Sequence, residues 1–169
     1  YICGMLLLER EAPLAHEVAR VLVKMRTAQP ALQFPVPQIR RQVAREVATY
    51  ESIIQVANAY RHQHDGPLTG DDPVIAMLRV LMEESVEQIF RLLMLVYRPA
   101  DIHLVYEQLR VPDTYVRADA IELLDNLVDP AMRATIFPIL DEDRFLSLLD
   151  EEVELSDEAL ARLDAAFPA

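Results

Sequence analysis

From Val36 to Ala57 the apolar side chains Val36, Ile39, Val43, Val47, Tyr50, Ile54 and Ala57 follow one another in steps of three and four. That spacing places them along one face of a helix. The other side carries Arg41, Arg45, Ala48, Ser52, Gln55 and Ala59, all polar or small. The same periodicity runs through VRADAIELLDNLVDPAMRATIFPIL, Val116 to Leu140, where charged residues fall between apolar ones at helical spacing. Few stretches alternate as a half-buried strand does, and the only glycines are Gly4, Gly66 and Gly70. The pattern therefore predicts an all-α chain.

Punctuation places the ends. Asp72-Pro73 and Asp129-Pro130 each offer a capping carboxylate followed by proline at the first helical position; Asp113 precedes Thr114-Tyr115-Val116, and Ser156 precedes Asp157-Glu158. Helices are expected at about 2–11, 13–27, 37–62, 73–97, 100–110, 114–128, 131–140, 143–149 and 157–166, to within a few residues at each end. Two proline- and glycine-bearing loops, Thr27 to Pro37 and His62 to Asp72, separate an N-terminal pair, a long central helix and a C-terminal series of short helices. Connections of two or three residues in that series require antiparallel neighbours, so the expected architecture is an irregular α-solenoid of stacked helical hairpins. We take residues 1–169 as a single helical domain, with N-terminal helices over 1–70, hairpins over 73–150 and an acidic segment over 151–169.

Charge changes the picture more by its distribution than by its total of -12. Residues 1–64 have net charge +3, residues 65–140 net -7 and residues 141–169 net -8. An acidic surface argues against nucleic acid as a partner, because neutralising phosphates takes a concentrated basic face. Arg40, Arg41 and Arg45 lie in the least acidic third. With about 100° per residue, Arg41 and Arg45 stand about 160–200° from Val43 and look outward. They are read as a candidate docking surface for an acidic partner or anionic headgroups, or else as a counterweight to the chain's own acids. The one cysteine, Cys3, cannot form an internal disulfide, which favours a reducing, cytoplasmic setting. Hydrophobic residues make up 52% of the chain, yet no apolar run approaches the roughly 20 residues needed to cross a bilayer.

Candidate chemistry is sparse. His62-Gln63-His64-Asp65 is the nearest approach to a metal motif, and it lacks a second cluster of ligands. Glu83, Glu84 and Glu87 gather carboxylates on one helix, but no Glu in the chain is followed by His three residues later, as a di-iron bundle requires. Arg79, Glu83, Glu87 and Arg91 at four-residue steps are better read as an exposed ion-pair ladder. His16 and His103 lack triad partners, Cys3 sits in an apolar run, and no phosphate-binding glycine loop, zinc-protease motif or nucleophile elbow occurs. No catalytic residue, metal or cofactor is expected.

From Asp101 through Asp113 to Asp129 the chain repeats a helical hairpin after about 30 residues. Asp113, Val116, Arg117, Ala120, Leu123, Leu124, Leu127, Asp129 and the Pro138-Ile139-Leu140 ending resemble a HEAT repeat of the short bacterial type. With ESVEQIFRLLMLVYRPADIHLVYEQLR, Glu84 to Arg110, added, residues 75–141 resemble the soluble HEAT-containing region of bacterial ADP/ATP-carrier-like, major-facilitator-type membrane proteins. That resemblance implies a cytosolic module, tethered to a membrane through parts of a parent chain. The expected function is a non-catalytic protein-interaction or regulatory module whose partner is another protein or the parent's membrane domain, with peripheral contact to an anionic membrane surface. A freestanding scaffold or adaptor and an enzyme with an unrecognised helical cleft are the alternatives. In the hairpin Arg117 is expected to reach an acid or carbonyl in an adjoining turn. Phe145, Leu146, Leu148 and Leu149 are expected to form a short capping helix, after which residues beyond Ser156 can be removed without unfolding the rest.

Overall fold

A computed structural model describes residues 12–63 and 72–140. The helices expected at 2–11, 143–149 and 157–166, the capping role of Phe145 to Leu149, the segment beyond Ser156 and Cys3 lie outside the described residues. Among those described the chain is helical, without a strand. The elements are α1 (Ala12–Ala28), α2 (Val36–Gln63), α3 (Pro73–Val96), α4 (Pro99–Leu109), α5 (Thr114–Leu127), α6 (Pro130–Ile136) and a closing 3-10 turn, Phe137–Ile139. No described helix is long and apolar enough to cross a membrane.

The starts obey the expected chemistry. Asp72, Asp113 and Asp129 each turn one carboxylate oxygen onto two amides of the first helical turn, those of Val74 and Ile75, Tyr115 and Val116, and Ala131 and Met132. Prolines follow Asp72 and Asp129 at a position that needs no N–H donor. The first expected loop is shorter than its prolines suggested. α1 runs to Ala28 and α2 begins at Val36, so Pro37 lies within the first turn of α2, where a proline is tolerated.

The longest helix, α2, is not the central one. Ile39, Val43, Tyr50, Ile54 and Ala57 of its seam are buried, and Val47 packs partly against them, while the opposite face stays in solvent. α3 is the hub, contacted by α1, α2 and α4. From Gln88 to Leu95 every residue except Arg91 is buried, as expected of a segment that is apolar on nearly every side. α4 and α5, joined by a short turn, pack against each other, and α6 with the 3-10 turn packs against α2, far away in sequence. Ala120 and Leu124 of α5 are fully buried, with Leu123 and Leu127 half-buried beside them.

Hydrogen bonds and ion pairs give the register of the first three helices. His16 lies 3.7 Å from Glu46, and Gln88 donates to the Ala15 carbonyl at 3.4 Å. Tyr60 at the end of α2 meets Asp72 at the start of α3, and Arg40 near the start of α2 is joined through Asp129 to Tyr97 just past the end of α3. α2 therefore runs antiparallel to both neighbours, and α1 runs parallel to α3. α1 covers only the second half of α3.

Candidate docking surface

Asp129 organises the end of the molecule where α2, α3 and α6 meet. Besides capping α6, its carboxylate accepts from the Tyr97 hydroxyl at 2.5 Å and from Arg40 at 2.8 Å. The Tyr97 hydrogen bond, assisted by the capping amides and Arg40, holds the Asp129 carboxyl below the ordinary carboxylate range in spite of partial desolvation. Burial, reinforced by the adjacent carboxylate, pushes the Tyr97 phenol up. Of the three arginines, Arg40 thus pairs with an acid of the chain, at a partly exposed position that links α2 to the α5–α6 turn.

Arg41 and Arg45 behave differently. Both are exposed on the side of α2 away from its seam, one turn apart, and neither forms an ion pair with a described residue. Arg45 is steadied by the side-chain oxygen of Gln42 at 3.5 Å, a weak contact. All three arginines are exposed, and they differ in pairing: Arg40 meets Asp129, whereas Arg41 and Arg45 meet no described acid.

Arg117 spans the C-terminal hairpin as expected of a residue in that register. It donates to the Leu109 carbonyl at 2.9 Å and to the Leu140 carbonyl at 2.5 Å, satisfying the ends of two elements whose carbonyls have no helical partner. Arg117→Met should cost about 1–2 kcal/mol, the worth of charged hydrogen bonds at a partly exposed position. Chemical denaturation reads this directly, and an unchanged midpoint would show the contacts to be incidental.

Arg117 also lines a cleft of about 570 Å3 bounded by α3, α4, the start of α5 and the closing 3-10 turn. Met82, Val86, Leu109 and Leu140 line it with apolar surface, and Arg79, Glu83, Glu87 and Arg110 contribute charge. Glu83 and Glu84 are exposed, and Glu87 pairs with Arg91, so no carboxylate in the cleft is buried. Of the expected ladder, the Glu87–Arg91 rung is present. Tyr106, its ring tilted against Phe90 with centroids 5.2 Å apart and covered by the Arg110 guanidinium at 5.4 Å, has its phenol raised chiefly by burial. The described lining of the cleft is thus a mixture of apolar side chains and charges of both signs.

The remaining candidates are described only in part. His62 and Gln63 stand in the last turn of α2, and His64 and Asp65 lie outside the described residues. No group of three or more possible metal ligands occurs among the described residues. His103 is exposed on α4. Two features had no signal in the sequence: Gln88, 2% exposed yet holding the start of α1, and Tyr97, whose hydroxyl seeks a carboxylate 32 residues away. Neither a protein-family model, a curated protein nor a solved structure matches this chain.

Proposed function

We propose that this chain is a non-catalytic interaction or regulatory module of HEAT-like helical hairpins, docking through the Arg41 and Arg45 face of α2 onto an acidic surface. The observation that carries this reading is the division of the arginines. In a chain of net charge -12, two guanidiniums one turn apart remain in solvent without a described acid, while their neighbour Arg40 is paired. The acidic surface is that of a transporter-like parent protein or the anionic headgroups around it, the partner implied by the resemblance of residues 75–141. Each arginine then contributes about 1 kcal/mol near an anionic surface, a contribution that weakens with salt.

Reversing Arg41 and Arg45 to Glu should abolish binding to vesicles containing anionic lipid and leave thermal unfolding within about 0.5 kcal/mol of the parent. Arg40→Glu should do the opposite, lowering stability by placing a like charge against Asp129. Vesicle binding that survives the double reversal, or that is absent from the parent chain at low salt, would remove the headgroup form of this proposal.

A further inference from the structure

A second cleft, of about 280 Å3, is bounded by α1, α3 and α4, three helices that all touch one another. Each turns one face to it. α1 contributes Arg20, Val23 and Lys24, α3 contributes Phe90 and Met94, and α4 with its C-terminal cap contributes Tyr106 and Arg110. Within each helix these residues are three or four positions apart, the spacing that keeps side chains on one side. The volume lies near the lower end of the range for small-molecule sites.

Burial sorts the lining by chemistry. The deepest side chains, Phe90 and Met94, are 1% and 8% exposed, and Val23 and Tyr106 are half-buried beside them. Arg20, Lys24 and Arg110 are exposed. An apolar, ring-bearing interior is therefore edged with cations, in a chain of net charge -12. Two of the cations in the lining already have partners, since Arg91 pairs with Glu87 and Arg20 with Glu17. Lys24 and Arg110 form no ion pair with a described residue. The Arg110 guanidinium lies over the Tyr106 ring, an arrangement that uses its flat face and leaves the N–H donors in its plane for an anion. One carboxylate of the lining, Glu107, also forms no ion pair with a described residue, and it opposes them. The cleft beside Arg117 shares Glu87, Tyr106 and Arg110 with this one but adds Glu83 and Glu84, which disfavour an anion there.

We propose that the cleft between α1, α3 and α4 binds a small aromatic anion, with its ring against Phe90, Met94 and Tyr106 and its phosphate or carboxylate head held by Lys24 and Arg110. Burial of the ring supplies affinity, and the two cations select charge and orientation. Because the ligand touches α1 and α4 together, it stabilises the folded chain by mass action. This site goes beyond docking through Arg41 and Arg45 of α2 and does not depend on it.

Calorimetric titration of the full chain with phenyl phosphate and with benzoate tests the site, each compared with its head alone, inorganic phosphate or acetate. At least one aromatic anion should bind at a single site, at least about tenfold more tightly than its head. Lys24→Glu and Arg110→Gln, at exposed positions and checked for parental helical content, should each weaken that binding at least about tenfold, whereas Glu107→Gln should tighten it. Reversing Arg41 and Arg45 to Glu changes the net charge as strongly and should leave the affinity within about twofold. The proposal is overturned if neither aromatic anion binds, or if the heads alone bind as well as the whole molecules, which would mean surface attraction only. It is also overturned if the Arg41 and Arg45 reversal weakens binding as much as Lys24→Glu does, since affinity would then follow net charge rather than this cleft. None of these outcomes bears on vesicle binding.

Discussion

Leu124→Ala is expected to lower the free energy of unfolding by about 2–5 kcal/mol, the range for removing a buried leucine and leaving a cavity behind. Leu124 has no solvent exposure, sits one turn after the equally buried Ala120, and lies on the helix that packs against α4. Partial collapse around the gap is restricted because Arg117 and the Asp113 cap fix the N-terminal end of α5 and the Val128 amide bonds to the Leu124 carbonyl at the other. Glu122→Ala, on the exposed side of the same helix, should stay within about 0.5 kcal/mol. Measuring both by chemical denaturation separates packing from helix propensity. A Leu124→Ala effect below about 0.5 kcal/mol would mean that α5 does not contribute its apolar face to the core.

Asp129→Ala should be the most damaging single polar substitution. It removes the cap of α6, worth about 1 kcal/mol, and leaves the Tyr97 hydroxyl and Arg40 without their acceptor, about 1–2 kcal/mol more at this partly exposed site. Tyr97→Phe should recover part of that loss when combined with Asp129→Ala, since it withdraws the unsatisfied hydroxyl. Additive losses in the double variant would show that the two groups do not interact. The pH dependence has a definite sign. The Asp129 carboxyl titrates lower in the folded state than in the unfolded chain, so the unfolded state binds the proton more readily. Its contribution is complete above the ordinary carboxylate pKa of about 4 and is lost as pH falls through the depressed folded value. Comparing unfolding of the parent and Asp129→Asn from neutral pH into acid should show the gap between them closing over that interval. A gap independent of pH would mean that the charge of Asp129 contributes nothing.

Helix identity was legible because it depends on local chemistry. Apolar periodicity, the Asp-Pro pairs and the scarcity of glycine act over a few residues, and the observed ends fall close to those they predict. Burial along α2 was legible for the same reason, since a seam in steps of three and four has one inward face whatever lies against it. Candidate surface residues were legible only as far as direction. Arg41 and Arg45 could be placed outward on α2, but the pattern could not say which of Arg40, Arg41 and Arg45 would find an acid in the chain itself.

That distinction comes from a partner 89 residues away. Asp129 looked like a helix cap and is one, but a carboxylate has two oxygens. One oxygen satisfies the first turn of its own helix, and the other is left for whatever the fold brings near: Tyr97 and Arg40. Asp72 repeats the device, capping α3 with one oxygen and accepting from Tyr60 with the other. The sequence by itself thus determined where helices begin and which faces are apolar, because both follow from short-range sterics and hydrogen bonding. Tertiary structure alone decided that α3 rather than the longer α2 is the hub, that α6 returns to α2, and which arginine is consumed in holding it there. Those outcomes depend on close approach between residues separated by tens of positions, and no short-range pattern records which of several apolar faces or spare carboxylate oxygens will meet.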